Sequence, residues 1–165
     1  MNASRLTLAI AFVATLAIAQ AAGARTSFTG NVCGLLTAKQ ITATQGISSK
    51  CTNAKPSNGP GSKIYSGTWA GKTPTSPTAL VTVTQYTDPG LLKLAKSNLK
   101  QGLPSASPSK VAGIGSAAYE ASGGSSTGIR FSVGSYIALV TLNGSGKAPS
   151  ASSAEGLARA IAAEL

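Results

Sequence analysis

The stretch GIRFSVGSYIALVTLN, residues 128–143, predicts a β-hairpin that turns at Gly134-Ser135. A Gly-Ser pair between two strand patterns suits a two-residue type II′ turn, which favours glycine at its first central position. This turn places apolar or aromatic residues opposite each other on one face: Val133 with Tyr136, Phe131 with Ala138, and Ile129 with Val140. On the other face it pairs Arg130 with Leu139 and Ser132 with Ile137. Both faces therefore carry apolar residues, and we expect helices to cover much of each.

Three further segments are predicted to be strands of the same sheet. They are IYSGTWA (64–70), ALVTVTQY (79–86) and VAGIGSAAYEA (111–121). The first two alternate in polarity and are rich in β-branched or aromatic residues, which is typical of half-buried strands. Residues 53–62, with two prolines and two glycines, are predicted to be a loop.

Three helices are predicted from capping patterns. They cover residues 38–45 after a Thr37/Gln40 capping box, residues 89–101 after Asp88-Pro89, and the C-terminal residues after a Ser152/Glu155 capping box. The order of elements is then helix, two strands, helix, three strands, helix. This order predicts an α+β fold, in which helices pack on a mostly antiparallel sheet of about five strands.

The first 24 residues have the pattern of a secretory signal peptide. A single arginine precedes a mostly apolar run, and small residues follow it at the cleavage region. The apolar run is shorter than the roughly 20 residues that a membrane-spanning helix needs, and no later stretch suits a transmembrane segment. We expect cleavage after Ala24, with Ala19 and Ala21 as alternatives. Residues 25–165 would then form a single secreted domain, extracellular or in the cell envelope.

Cys33 and Cys51 are the only cysteines in the chain. Outside the cytosol disulfides form and persist, and two cysteines allow one pairing. A metal site is disfavoured because zinc sites draw mostly on histidine and cysteine, and the chain has no histidine and only four carboxylates. A redox pair is disfavoured because catalytic cysteines usually stand as C-x-x-C. We therefore predict one structural disulfide and no metal.

The chain carries 14 Lys+Arg and 4 Asp+Glu, a formal net charge of +10, with only 11% of its residues charged. Such a charge favours anionic partners, including envelope polymers, lipid headgroups and acidic proteins, although it also serves solubility alone. Nucleic acid is not expected as the partner of an exported protein. Lys93, Lys96 and Lys100 fall on one side of the second predicted helix. They form either a solvated face or a candidate anion-facing surface.

Catalytic motifs are not recognisable in the sequence. Histidine, the commonest general base and triad partner, is absent. A glycosidase needs two carboxylates facing one cleft, and of the four carboxylates only Glu120 is placed on a strand. Residues 113–118 match G-x-G-x-x-A, but a dinucleotide site needs a helix after this turn, and here a strand follows. We therefore predict no enzymatic activity and no cofactor.

One pair of charges is a candidate ligand or partner contact. If the GGSST loop (123–127) sets Tyr119 opposite Phe131, Glu120 faces Arg130 on an otherwise apolar surface. Such a pair is either a cross-strand ion pair worth about 0.2–1 kcal/mol or a polar anchor in a small-molecule groove.

Two aromatic residues are candidates of the same kind. Tyr65 and Trp69 lie on alternate positions of one predicted strand. They are expected either to lie in the core or to form a platform for a ligand or partner.

The order of several short motifs resembles that of a known group of proteins. A cysteine followed by GLLTAKQI and a helix, a second cysteine and then an aromatic strand resembles the opening of small actinobacterial secreted proteins and lipoproteins of unknown function. Residues 111–119, 128–142 and 154–165 are similar to the Gly-x-Gly element, the hairpin and the alanine-rich terminal helix of their second half. Extracellular sensor domains of certain mycobacterial receptor kinases are similar as well.

The resemblance covers most of the chain after the signal peptide. It implies an α/β sandwich and a binding or envelope role, and it brings no catalytic residues. The sequence differs from the lipoprotein members because it has no lipidation cysteine at the cleavage region.

Two functional hypotheses follow. The first is a secreted, non-enzymatic binding module that recognises an anionic envelope component or a protein partner at the cell envelope or outside the cell. The alternative is a carrier or sensor of a small apolar or anionic ligand, held in a groove against the sheet. A surface module should bind in a salt-sensitive manner, whereas a carrier needs a cavity and should be stabilised by its ligand.

Overall fold

A single antiparallel sheet organises the fold in the computed structural model, which describes residues 28–165 apart from Gln45 and Ala106. Its eight strands are β1 (Ile47–Asn53), β2 (Ser57–Gly59), β3 (Ser62–Gly71), β4 (Thr78–Tyr86), β5 (Ser109–Val111), β6 (Ala117–Gly123), β7 (Ser126–Val133) and β8 (Tyr136–Asn143). The strand order is β1-β3-β4-β8-β7-β6-β5, and β2 pairs with β3 beside β1. The predicted signal peptide lies outside the described residues.

Within the described residues, three α-helices and one short 3-10 helix accompany the sheet. They are the 3-10 helix Val32–Leu35, α1 (Ala38–Thr42), α2 (Pro89–Ser97) and α3 (Ala151–Glu164). The predicted α+β class with an antiparallel sheet is therefore confirmed. Within residues 28–165, as far as they are described, no helix is long and apolar enough to cross a membrane.

The hairpin of β7 and β8 has the predicted register. Val133 pairs with Tyr136, Phe131 with Ala138, and Ile129 with Val140. Gly134 has a φ of 54°, and Ser135 is not among the residues with positive φ. This combination is the one that a type II′ turn requires.

The predicted number of strands is wrong, because β1, β2 and β5 are not apparent from the sequence. Their sequences, ISSKCTN, SNG and SKV, are mainly polar, and most of their residues are exposed. Main-chain pairing with β3 or β6 holds them, so they need no apolar face of their own. β2 lies within the predicted loop over residues 53–62, where Gly61 has a φ of 65° and allows the chain to turn into β3.

The helix boundaries also differ from the predicted ones. The capping box of α1 is present, but α1 ends at Thr42, and the predicted end at Gln45 lies outside the described residues. Asp88 caps α2 as predicted, but α2 ends at Ser97 rather than near Gln101, and a series of turns follows it.

The predicted Ser152/Glu155 capping box is wrong. Ser150 is the N-cap of α3, and its Oγ accepts a hydrogen bond of 3.3 Å from the Ser153 amide. The third helical position is therefore a serine. Glu155 lies further along, where it pairs with Arg159 one turn later at 3.0 Å.

One face of the sheet forms the core with the 3-10 helix, α1 and α3. Its largest fully buried side chains include Trp69, Phe131, Ile41, Ile47, Ile114, Ile129, Leu142 and Ile161. The predicted disulfide between Cys33 and Cys51 is confirmed. It joins the 3-10 helix to β1 at the edge of the sheet, and such a cross-link stabilises by about 3 kcal/mol for a loop of this length.

The other face is only partly covered. The turn after α2 lies over β7, where Leu99 is buried and a Cβ on Gly128 would lie 2.8 Å from the Pro104 ring. Helix α2 itself has no buried residue, and Leu91 and Leu94 are 39% and 58% exposed. The expectation that helices cover much of both faces therefore holds for the core face and is wrong for this one.

Candidate functional site

Three cations surround the ring of Tyr119 on the partly covered face. Tyr119 on β6 pairs directly with Arg130 on β7 and with Lys110 on β5. Directly paired residues of antiparallel strands project from the same face, about 4.5–5.5 Å apart. The Lys100 ammonium lies 5.1 Å from the centre of the same ring. We call these four residues the Tyr119 cluster.

A short hydrogen bond fixes Arg130 within the cluster. Its Nη1 donates to the carbonyl oxygen of Gln101 at 2.7 Å. This bond ties the turn after α2 to the centre of β7, and the buried side chain of Leu99 holds the turn from the other side. Lys100 lies between these two anchors, which places its ammonium over the tyrosine ring.

The predicted lysine stripe contributes Lys100 to the cluster, and its other two members precede Lys100 on α2. Lys93, Lys96 and Lys100 are all exposed, as a solvated or anion-facing surface requires. Lys93 and Lys96 lie on α2, and Lys100 lies in the turn that leads to Arg130. In the described part of the chain the single salt bridge joins Arg159 to Glu155. The charge of the Tyr119 cluster is therefore not neutralised by a carboxylate.

The predicted pairing of Glu120 with Arg130 is wrong. The turn of the β6–β7 hairpin is Gly124-Ser125, so Gly123 pairs with Ser126 and every pair shifts by one residue from the predicted register. Tyr119 instead of Glu120 lies opposite Arg130. Since a shift of one residue moves a side chain to the other face, Glu120 lies on the core side of the sheet.

Glu120 is an unusual carboxylate in its actual position. Its Oε2 is buried and has no hydrogen-bond partner among the described residues. Burial, and after it the negative charge of Glu155, raise the pKa of Glu120 above its usual value. The side chain is therefore a source of pH-dependent stability, and it is separated from the basic surface by the sheet.

Tyr65 and Trp69 do not line a surface. Trp69 is 1% exposed and pairs with Cys51 next to the disulfide, and Tyr65 is buried as well. Phe28 packs edge-on against Tyr65, with 5.2 Å between the ring centres. Both residues have the core position that was one of their two predicted roles.

Two members of the cluster, Lys110 and Tyr119, are absent from the predicted site. Lys110 lies on the short polar strand β5, and Tyr119 has a different partner from the predicted one because the pairing of β6 with β7 is shifted by one residue from the predicted register. The signal that identifies Tyr119 is the Gly-Ser pair at residues 124–125, the same dipeptide that correctly predicts the β7–β8 turn.

The chain matches no protein family, no curated protein and no solved structure in the comparisons with known proteins. Conclusions about function therefore depend on the chemistry and geometry of the site itself. The Tyr119 cluster offers fixed positive charges beside an aromatic ring, an arrangement suited to binding an anionic group next to an apolar or sugar-like surface.

Proposed function

We propose that this protein is a secreted, non-enzymatic binding module that acts at the cell envelope or outside the cell. Its partner is an anionic envelope polymer, and the Tyr119 cluster together with the lysine stripe of α2 is the contact surface. The observation that carries the proposal is the grouping of Lys100, Lys110 and Arg130 around one ring without a neutralising carboxylate.

The geometry supports an extended ligand better than a single ion. Lys110 and Arg130 flank Tyr119 from the two neighbouring strands, so about 10 Å separates the backbones of β5 and β7. Lys93 and Lys96 extend the positive surface along α2. A polymer with repeated anionic groups contacts several of these cations at once, which raises its overall affinity above that of one group.

The test measures binding of the protein to a synthetic poly(glycerol phosphate) by isothermal titration calorimetry. The Lys100→Gln/Lys110→Gln variant removes two cations from the cluster. We expect a loss of about 1 kcal/mol for each removed charge, or about 30-fold in total. A Lys39→Gln/Lys55→Gln variant has the same net charge, but its substitutions lie at exposed positions on α1 and before β2.

Equal losses in the two double variants would show that only net charge matters and would overturn the assignment of the surface. Binding should also weaken steeply between low salt and about 0.5 M NaCl, because exposed charges are screened. Tight binding that is insensitive to salt would contradict the proposal. Binding to vesicles of phosphatidylglycerol, but not to the polymer, would indicate a lipid surface as the partner instead.

A further inference from the structure

The large apolar side chains that remain exposed in the described chain lie on one side of the molecule. Two are on α2, and two project from the partly covered face of β3 and β4, where they alternate with buried residues. Helix α2 contacts β4 and β8 and continues into the turn that crosses this same face. The exposed fractions are 39% for Leu91, 58% for Leu94, 39% for Ile64 and 37% for Leu80. Single exposed apolar residues are normal, whereas a group of them marks an interaction surface.

Cations accompany these apolar residues, and carboxylates largely do not. Lys93 and Lys96 are exposed on the same helix as the two leucines. Three of the four carboxylates of the chain belong to the core side of the sheet, namely Glu120 and, on α3, Glu155 and Glu164. The fourth, Asp88, caps α2 by accepting a hydrogen bond of 2.8 Å from the Leu91 amide. This side of the molecule therefore suits a partner that is both apolar and anionic.

Two pairs of residues on α2 combine the apolar and the basic character, and we call them the α2 patch. Its members are Leu91, Lys93, Leu94 and Lys96. Residues three positions apart are neighbours on a helix surface, so the two leucines lie side by side, and so do the two lysines. Leu92 and Ala95 are half-buried, and α2 rests on the sheet by the side that they form. The patch therefore occupies the outside of the helix, with an apolar stripe next to a basic one.

The convex shape of the α2 patch distinguishes between kinds of partner. Peptides and small apolar ligands are recognised in grooves or pockets. Two cavities, of ≈ 420 and ≈ 390 Å³, are lined by residues of α1, α3 and loops, and no residue of α2 lines either of them. A lipid bilayer needs no groove, because apolar side chains insert between the lipids while lysine ammonium groups remain among the headgroups.

Charge distinguishes a membrane from a second copy of the chain. The chain has a formal net charge of +10. Two copies that met through the α2 patch would bring Lys93 and Lys96 of each copy together, and like charges repel. The surface of an anionic bilayer carries the opposite charge, and each lysine close to it strengthens the binding. The charges of the patch therefore favour the bilayer.

We propose that the α2 patch is a docking surface for an anionic lipid membrane. Leu91 and Leu94 insert between the lipids, and Lys93 and Lys96 contact the phosphate groups of the headgroups. The helix lies in the interface, because its nine residues extend only about 14 Å, roughly half the thickness of the hydrocarbon core. This membrane contact is additional to the proposed polymer contact and does not require the Tyr119 cluster.

Co-sedimentation with large vesicles tests the proposal. We expect the protein to bind vesicles of equal parts phosphatidylglycerol and phosphatidylcholine about tenfold or more tightly than vesicles of phosphatidylcholine alone. Leu91→Ser/Leu94→Ser should weaken binding to the mixed vesicles about tenfold or more, because the two side chains no longer remove apolar surface from water. The affinity of this variant for poly(glycerol phosphate) should change less than about twofold. The membrane contact and the polymer contact can therefore fail or succeed separately.

A tryptophan in place of Leu94 reports insertion directly and keeps the patch apolar. Lipids with brominated acyl chains should quench the emission of Leu94→Trp, but not that of the control Ala163→Trp at the exposed end of α3. The wild type, whose single tryptophan is buried, gives the baseline.

Three results would overturn the proposal. The first is equal vesicle binding by the wild type and the leucine variant, or equal quenching at positions 94 and 163, since the leucines would then not insert. The second is a loss of polymer binding in the leucine variant as large as its loss of vesicle binding. The third is a dimer of the wild type in solution that the leucine variant dissociates, since a second copy would then cover the patch.

Discussion

Replacement of both Cys33 and Cys51 by alanine should lower the free energy of unfolding by about 3 kcal/mol. The cross-link joins residues separated by 18 positions. Opening a loop of this length returns about 10 cal/mol/K of entropy to the unfolded chain, which is about 3 kcal/mol at 25 °C. For a domain of about 140 residues, an unfolding entropy of about 0.3 kcal/mol/K converts this loss into a fall of about 10 °C in Tm.

The native contacts around the cross-link are expected to survive its removal. The Cys33 amide donates to Asn53 Oδ1 at 3.0 Å, and Asn53 Nδ2 donates to Asn31 Oδ1 at 2.9 Å. These bonds keep the 3-10 helix on β1 in the variant. The loss of stability should therefore come mainly from the greater freedom of the unfolded chain.

Urea unfolding followed by the fluorescence of Trp69, the single tryptophan, measures the change. Trp69 is 1% exposed, so its emission should report the loss of the core. Chemical reduction of the wild-type protein is the control, and it should give the same loss as the double variant. A loss below about 1 kcal/mol, well outside the usual range for a native disulfide, would refute the entropy argument.

Three further predictions follow from individual residues. The raised pKa of Glu120 means that the native state binds the proton of this carboxyl group more tightly than the unfolded state does. Proton binding to Glu120 therefore contributes fully to stability below the unfolded pKa near 4.5, and this contribution is lost as pH rises through the native pKa. Glu120→Gln should therefore be more stable than the wild type at pH 7 and equally stable in acid, and a Tm difference that does not depend on pH would contradict this. Gly156→Ala should raise the free energy of unfolding by about 0.5–1 kcal/mol in urea titrations, because it favours the helix and meets no neighbour; a loss would show that the space beside α3 is occupied. Gly115→Ala should cost about 2 kcal/mol or more, because Gly115 has a φ of 56° and its Cβ would overlap with the backbone carbonyl oxygen of Ser132. The matched Gly134→Ala, with a φ of 54° and nothing within 4 Å, should cost only about 1–2 kcal/mol of backbone strain, and equal losses would refute the role assigned to the contact.

The β7–β8 hairpin could be predicted residue by residue because three constraints agree there. Both strands alternate strongly, the turn dipeptide is flanked directly by apolar residues, and only one register pairs those residues on the same face. In the β6–β7 hairpin the sequence Gly-Gly-Ser-Ser-Thr allows more than one centre for the turn. The difference of one residue decides whether Glu120 or Tyr119 lies opposite Arg130.

The candidate surface was predictable in its parts but not in its grouping. The lysines of α2 follow from helical spacing, and their exposure agrees with it. Lys110 joins them only through β5, a strand of three residues that no hydrophobic pattern reveals. Tertiary packing likewise buries Tyr65 and Trp69 in the core. Alternation along one strand shows that the two side chains share a face, but it does not show whether that face is buried or exposed.

The pairing of β4 with β8 has a consequence for the order in which the chain folds. These two strands form the centre of the sheet, yet Val83 pairs with Ala138 from the far end of the chain. The β3–β4 hairpin and the β6-β7-β8 meander each contain only local pairings, which form quickly, whereas distant pairings are slow. We expect both subassemblies to appear early and their docking along β4 and β8 to be the rate-limiting step. Until β8 arrives, the apolar residues of β4 lie on an unpaired strand edge, which is where self-association during folding is most to be expected.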